Sequence, residues 1–468
     1  MRSSWCSVLL TLALAGTLGG GAAVAGPERN PWRLPIATRT LANGLTVIVS
    51  EDHSVTTFGL CTAYRIGFRS EPKGHAGFAH LFEHMMFQGT PRAPKGVLNR
   101  VVEAGGGKLA GATNWDHTIY TAAAPVSALD AVLWLESDRM RTLDFSAKGF
   151  ENQKDVVKEE IRANVINQPY GLFYWTDLGS RAFGKWENNH DGYGSFADLD
   201  AATLADVESF FEAYYGPNSA VIAVVGDVTP DEVFAKVEKY FGDIPPRPRP
   251  LPPDTSEGPN TAERTLVETD PLARIPALAV GWKLPASSLL DHVPAALLAN
   301  LLLSGEAARL PQRLVKDRKL MLNVQGGLNW PLGDPWTYTG PALLTVNGMY
   351  KPPASAESVI AAIDEIVEDI SRHGVPDAEL TRTKTKMESD LYSTLELPVD
   401  RAAMLASLQL LTGNAGVLTD LLAAIAAVTS ADLQRVAATY LTAANRTVVD
   451  RRPVSSGQPA AKGKGNAP

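Results

Sequence analysis

The sequence predicts an α+β fold made of two homologous domains, and three observations support this. Short alternating apolar segments and longer helix-like segments follow one another through both halves of the chain. A weak repeat relates the halves, because Thr203-Leu-Ala-Asp-Val207 returns 226 residues later as Thr429-Ser-Ala-Asp-Leu433. Each copy is followed by a tyrosine, an asparagine and an apolar strand. Between the copies, residues 245–259 hold seven of the chain's 32 prolines, which predicts a stiff linker.

The chain begins with the pattern of a secretory signal peptide, predicted to cover residues 1–25. Arg2 precedes an apolar run, and the small residues Ala23-Val-Ala25 form an A-x-A cleavage site. The run is shorter than a membrane span, which needs about 20 residues, so we expect cleavage and no stable membrane insertion afterwards. Retention as an N-terminal anchor is the alternative. A secreted or periplasmic location follows, and losing Cys6 leaves Cys61 without a disulfide partner.

The mature chain is predicted to divide into a first domain at 26–244, a linker at 245–262 and a second domain at 263–452. The first domain opens with a predicted hairpin over Thr38–Val49, whose turn is Asn43-Gly44. Mixed strands and helices then continue to the short, apolar strand Ala220–Val225. Residues 453–468 are rich in Gly, Pro, Ser, Lys and Ala, and we expect them to be disordered.

One segment of the first domain, Phe78-Ala-His-Leu-Phe-Glu-His-Met-Met-Phe87, has the spacing of a metal site. Positions i and i+4 of a helix lie on the same face, so His80 and His84 can bind one ion. The order H-x-x-E-H is a metallopeptidase signature. Catalytic zinc usually has three protein ligands and an open position for water. Glu83 is the candidate base for that water, whose pKa zinc lowers toward about 7.

A third ligand is expected on a second predicted helix, which starts at Glu151. This helix carries an apolar stripe of four aliphatic residues, Val156, Val157, Ile161 and Val165. Glu160 lies beside the stripe and is the best candidate. Glu159 points more toward solvent, and spacing alone leaves both open. The six other histidines lack such geometry, and we expect them to be surface or polar-core residues.

The segments Gly77–Thr90 and Val156–Glu160 resemble the pitrilysin and mitochondrial-processing-peptidase family of zinc peptidases, in particular its bacterial processing-peptidase-like members. The resemblance covers nearly the whole mature chain and includes Asp116–Tyr120, Trp134–Met140 and Tyr214–Asn218. In that family the third ligand is a glutamate at the spacing found here, with Glu160 lying 76 residues beyond His84. The resemblance implies one Zn²⁺ per chain. It also implies that each domain is a mostly antiparallel sheet packed with helices, and that the chain forms half of a clamshell.

Three positions depart from the family pattern. Gln153 stands where many members have a carboxylate near the metal, and Ala110 where an asparagine pairs with the substrate backbone. The family's second domain binds substrate through an arginine and a tyrosine. Arg309 matches the arginine, although a surface helix residue explains it equally well, and the tyrosine position holds Leu322. A peptide could still add to the strand of Ala110 through main-chain hydrogen bonds.

The sequence therefore predicts a zinc metalloendopeptidase, a hydrolase that cleaves short or unfolded peptides. The incomplete second-domain site favours the catalytic member of a dimer, with a relative that lacks the zinc motif as partner; a homodimer is the alternative. The alternative function is a non-catalytic peptide-binding or assembly subunit that keeps the fold and the metal. The net charge of −8, without a basic stripe, argues against nucleic acid as a partner.

Overall fold

The structure is a computed structural model, and it describes residues 34–287 and 290–454. The predicted signal peptide lies outside these residues, as does the predicted tail from residue 455 onward. Pro453, the first residue of that predicted tail, is the last residue of a strand. The strand continues this far because its parallel ladder extends to the pair Pro453 and Asp270.

The described residues form two sheets with helices packed on them. The strands are β1 (Ala37–Thr40), β2 (Thr46–Glu51), β3 (Thr57–Tyr64), β4 (Lys108–Thr113), β5 (Thr118–Pro125), β6 (Ala220–Gly226), β7 (Arg264–Asp270), β8 (Ala277–Leu284), β9 (Gln325–Leu328), β10 (Ala342–Met349) and β11 (Arg446–Pro453). The helices are α1 (Phe78–Met85), α2 (Val97–Ala104), α3 (Leu129–Arg141), α4 (Ala147–Ile161), α5 (Thr176–Ala182), α6 (Trp186–Asn189), α7 (Phe196–Ala201), α8 (Leu204–Tyr214), α9 (Pro230–Phe241), α10 (His292–Leu303), α11 (Ala356–His373), α12 (Asp377–Glu396), α13 (Pro398–Thr412), α14 (Val417–Ala427) and α15 (Ser430–Tyr440). Two π-helical turns, Arg162–Ile166 and Pro311–Asp317, extend α4 and follow α10.

The two sheets share one strand order over five strands, and the first sheet carries the additional edge strand β1. The first has the order β1-β2-β6-β3-β5-β4, and the second has the order β7-β11-β8-β10-β9. In each sheet a single pair is parallel, β2 with β6 and β7 with β11, and every other pair is antiparallel. The predicted α+β class with two homologous, mostly antiparallel sheets is therefore confirmed.

The sequence repeat corresponds to a repeated helix start. The Thr203 hydroxyl accepts a hydrogen bond from the backbone N–H of Asp206, whose carboxylate accepts from the Thr203 backbone N–H. Thr429 and Asp432 form the same reciprocal pair at the start of α15. Such a capping box satisfies two N–H groups that the helix itself leaves unpaired. The repeated residues thus fix the same helix beginning before the strands β6 and β11.

Each half of the chain contributes one helix that packs on the sheet of the other half. Helix α13, from the second half, lies across β3, β5 and β6 of the first sheet. Helix α5, from the first half, lies against β7, β8 and β11 of the second sheet. Leu178 of α5 is fully buried in a small core with Ala277, Ala279 and Val449. Neither sheet is therefore fully buried by the residues of its own half.

A buried ion pair also joins the halves. Arg69 donates to the Asp116 carboxylate at 2.7 Å, to Asn188 Oδ1 at 3.0 Å and to the backbone oxygen of Pro341. Asp116 in turn accepts hydrogen bonds from the backbone N–H and hydroxyl of Thr339. Burial raises the pKa of Asp116, but Arg69 and the Thr339 hydrogen bonds lower it more, so the carboxyl stays ionised. The pair is well partnered, as a buried charge must be.

The proline-rich linker has neither helix nor strand over 245–261, and Glu257 is one of the residues that hold it in place. The Glu257 carboxylate accepts the backbone N–H groups of Gly184 and Lys185 at 2.9 Å, and the ammonium of Lys283 at 3.0 Å. The linker thus contacts both halves.

Within the described part of the chain, no single helix is long and apolar enough to cross a membrane. The helices Pro398–Thr412 and Val417–Ala427 pass that test only as a pair, across a bend of 87°.

Replacing Gly59 by alanine is expected to destabilise the protein by about 2–3 kcal/mol. A Cβ atom at Gly59 would lie 2.2 Å from the backbone nitrogen of Val399 in α13. Urea unfolding measures the change in the free energy of unfolding. Gly179→Ala is the control, since a Cβ there meets no atom within 4 Å and alanine favours the helix. Equal stability of the two variants would contradict the close packing of α13 on the first sheet.

Candidate metal centre

Helix α1 places two imidazole nitrogens side by side. The Nε2 atoms of His80 and His84 lie 3.2 Å apart, as expected for residues one helical turn apart. The helix begins after Gly77, whose φ of 92° is a conformation that glycine adopts readily. Phe78 and Phe82 on the opposite side are fully buried, which fixes the rotation of the helix.

Helix α4 brings a carboxylate to the same place. The Glu160 oxygens lie 3.7 Å from His80 Nε2 and 3.3 Å from His84 Nε2. One donor atom from each of the three side chains lies within 4.8 Å of the other two. Glu159 turns outward, where its side chain is 70% exposed and pairs with Arg162. Of the two glutamates that spacing left open, Glu160 is the one beside the histidines.

The buried face of α4 differs from the predicted apolar stripe. Val157 and Ile161 are buried, but Val156 is 40% exposed. The face that packs inward instead contains Phe150, Gln153 and Lys154 with these two residues. The prediction was wrong for Val156 because consecutive positions are about 100° apart on a helix, and Val156 falls on the edge that carries Glu160.

Tyr193 orients two of the three side chains, and no motif or spacing in the sequence points to it. His80 Nδ1–H donates to the backbone oxygen of Tyr193 at 3.1 Å, which leaves the Nε2 lone pair directed at the cluster. The Tyr193 hydroxyl donates to Glu160 Oε1 at 2.8 Å and accepts from Asn164 Nδ2 at 2.7 Å. Such outer hydrogen bonds fix the orientation of metal ligands.

The electrostatic surroundings favour the protonation states that bind a metal. Burial, followed by the neighbouring His84, lowers the pKa of His80 and favours the neutral imidazole. The hydrogen bond with His84 is the main cause that lowers the pKa of Glu160. The Tyr193 hydroxyl and His80 lower it further, to about 2. Burial and Glu160 raise the pKa of Tyr193 to about 12, so its hydroxyl remains a donor. Two imidazoles and one carboxylate form a donor set that fits catalytic zinc.

The Glu83 side chain extends from α1 toward the edge strand β4. Its Oε2 accepts a hydrogen bond from the Thr113 hydroxyl at 2.8 Å. A Cβ atom on Gly111 would lie 2.9 Å from Glu83 Cγ, so a larger residue would push this side chain away. Strand β4 pairs only with β5, so its other edge is free among the described strands. The carboxylate therefore borders both the histidine pair and an open strand edge.

The structure shows no contact between the histidine–glutamate cluster and the remaining predicted site residues, Gln153, Ala110 and Arg309. Gln153 is buried on α4, two turns before Glu160, and Ala110 is exposed on β4. Arg309 forms a two-pronged contact with Glu379, at 3.1 and 2.7 Å, and contacts Asp369 at 3.0 Å. These bonds lie within the second half and favour the structural explanation of Arg309.

Two family models match the sequence, one on each half. The model described as insulinase, peptidase family M16, matches residues 46–172, which include the histidine and glutamate cluster. The model described as the peptidase M16 inactive domain matches residues 201–387, which lie mostly in the half without the H-x-x-E-H motif.

Several proteins of similar sequence are named as zinc proteases or as processing-peptidase subunits. Zinc protease PqqE of Helicobacter pylori is 28% identical over 417 residues, 88% of this chain and 92% of its own length. A probable mitochondrial-processing peptidase subunit beta of Arabidopsis thaliana is 27% identical over 210 residues, 43% of this chain and 38% of its own.

Solved structures share the fold. The crystal structure of a protease from Helicobacter pylori matches 90% of this chain and 100% of its own, with a TM-score of 0.82 and 26% identity. The periplasmic protease PqqL from Escherichia coli, at 18% identity, shares the fold with a TM-score of 0.70 over 90% of this chain and 48% of its own. With both halves matched by models of one family, the chain belongs to peptidase family M16, the family of pitrilysin and the mitochondrial processing peptidase.

Proposed function

We propose that the chain is a zinc-dependent endopeptidase that hydrolyses short or unfolded peptides, with His80, His84 and Glu160 as ligands and Glu83 as base. The observation that carries this proposal is the convergence of three donor atoms within 4.8 Å, next to a carboxylate held at a free strand edge. The zinc protease names of similar proteins support the same reaction class.

The side chains have separate tasks in this reaction. Zinc held by His80, His84 and Glu160 would polarise the peptide carbonyl and lower the pKa of a water molecule. Glu83 accepts the proton of that water and passes it to the leaving amine. Thr113 holds the Glu83 carboxylate through one oxygen, and the other oxygen remains available for the proton. Tyr193 keeps His80 and Glu160 in the orientation that binding requires.

The free edge of β4 is a suitable place for an extended substrate. A peptide that adds to this edge gains main-chain hydrogen bonds that do not depend on sequence. Gly111, beside Glu83, gives the peptide close access to the carboxylate. Ala110 supplies no polar side chain, so main-chain contacts would provide most of the affinity along this strand.

The catalytic chain is proposed to act as one member of a dimer in the periplasm or outside the cell. The second half offers no arginine free to bind substrate at position 309, since Glu379 and Asp369 already hold that side chain. A second chain that lacks the zinc motif would supply this function, and a homodimer is the alternative.

A non-catalytic role is the second candidate. The inactive-domain model that matches residues 201–387 and the replacements at Gln153, Ala110 and Leu322 favour it. In this case the chain would bind peptides and keep zinc without cleaving them.

The variant Glu83→Gln is expected to lose activity by about 10²–10⁴-fold, because the general base is removed while the ligands remain. Hydrolysis of a quenched-fluorescence peptide library measures the loss, and elemental analysis should still find one zinc per chain. Hydrolysis that persists in the variant would exclude Glu83 as the base. A zinc-loaded wild-type protein without any hydrolysis would support the non-catalytic role.

The variant Tyr193→Phe is expected to bind zinc about 10–100-fold more weakly, because Glu160 loses the hydrogen bond that orients it. Competition with a chromophoric chelator measures the affinity directly. Tyr214→Phe is the matched control, since the Tyr214 hydroxyl donates to the backbone oxygen of Ser70 and not to a ligand. Equal zinc affinity of both variants would show that Tyr193 does not position the carboxylate.

A further inference from the structure

A cleft between the two halves begins next to the metal centre. Its volume is about 320 Å³, within the range of ligand-binding pockets. One wall is the segment from Asn164 to Tyr174, which follows Glu160 in sequence, and the other is formed by β9, β10 and the residues before β9. Asn164 connects the cleft to the centre, because its amide donates to the Tyr193 hydroxyl, which donates to Glu160.

The cleft is lined by amides and apolar groups. The amide side chains are Asn164, Gln168, Asn323, Gln325 and Asn347. Phe173 and Met349 contribute apolar surface. Among the described residues that line the cleft, none is aspartate, glutamate, lysine, arginine or histidine. Burial raises the pKa of Tyr170 and Tyr174, so both phenols stay neutral. A charged group that entered the cleft would lose water and meet no opposite charge.

Part of the hydrogen-bonding capacity of these amides is unused. Gln325 Nε2 donates to Asn347 Oδ1 at 3.2 Å, but Gln325 Oε1 accepts no hydrogen bond from the described residues. The Gln168 side chain forms none with them either. Both side chains are exposed at the rim, where they can bond to a ligand that is itself polar but uncharged.

The backbone of the first wall has a strained conformation at Tyr170 and Leu172. Tyr170, Gly171 and Leu172 have φ values of 68°, 44° and 57°, and two of them are among the four non-glycine residues with positive φ in the described chain. Asp270 accepts the backbone N–H of Tyr170 at 2.6 Å, and the Tyr170 hydroxyl donates to Ile275 at 2.7 Å. Such strain persists only where surrounding contacts impose it, and it is concentrated at functional sites.

We propose that this cleft is a substrate subsite that receives an uncharged side chain of the peptide, such as glutamine or methionine. The proposal rests on the peptidase function proposed above. Because Asn164 lines the cleft and is joined to Glu160 through the Tyr193 hydroxyl, the recognised residue is expected close to the scissile bond. The amides of the rim bond to the side chain or its backbone, and the apolar wall contacts its methylene groups.

The test varies charge on both sides of the contact. Quenched peptides that carry Gln, Glu or Lys at each position around the scissile bond are cleaved by wild type, Gln325→Glu and Gln325→Lys. Wild type is expected to prefer Gln at one position by about tenfold in kcat/KM. At that same position, Gln325→Glu should raise kcat/KM for the Lys peptide about three- to tenfold. Gln325→Lys should raise kcat/KM for the Glu peptide by a similar factor. Asn152→Asp is the control, because it adds a negative charge on the exposed side of α4 away from the cleft.

Unchanged preferences in both Gln325 variants would overturn the subsite, and so would a shift spread evenly over all positions, which indicates only long-range attraction. A binding measurement separates this result from failure of the peptidase proposal. Fluorescence anisotropy of the same peptides with Glu83→Gln, alone and combined with each Gln325 change, reports the preference without turnover. A charge-dependent switch in binding supports the subsite even if no peptide is cleaved, and its absence rejects the subsite.

Discussion

The buried carboxylate of Glu71 is the interaction on which the metal centre depends. It accepts the backbone N–H groups of Gly77 and Ala79 at the start of α1, at 3.0 and 2.7 Å. These donors have no partner inside the helix, and a negative charge is favourable at this end of the helix dipole. The same carboxylate lies 2.9 Å from His190 Nε2, three residues before Tyr193. One side chain thus joins the helix that carries His80 and His84 to the loop that orients them.

Local sequence patterns were sufficient for the parts of the site that lie on regular elements. The four-residue spacing of His80 and His84 requires only a helix, and the hairpin turn required only Asn43-Gly44, where Gly44 has a φ of 88°. The sequence repeat marked two corresponding segments, and the structure shows that both are helix starts with a capping box. The parallel pairing of β2 with β6 could not be seen locally, because it joins strands that are far apart in sequence.

The unpredicted parts of the site depend on contacts between distant segments. Tyr193 lies 33 residues beyond Glu160 on an irregular loop, and no periodicity or motif connects the two. Glu71 was equally invisible, since its partners belong to the next helix and to His190. Of the two environments predicted for His190, surface or polar core, the structure shows the polar core. For Arg309 the family motif left two explanations open, and its contacts with Glu379 and Asp369 favour the structural one.

The exchange of helices between the halves affects how the chain is made. On β3, Gly59, Cys61 and Ala63 share the face that α13 covers, because alternate residues of a strand point the same way. Synthesis proceeds at about 5–20 residues per second. Roughly ten to thirty seconds therefore separate the synthesis of residue 244 from that of the end of α13. Without α13, this face of the first sheet and the Cys61 thiol, which is buried in the complete chain, would lack a cover.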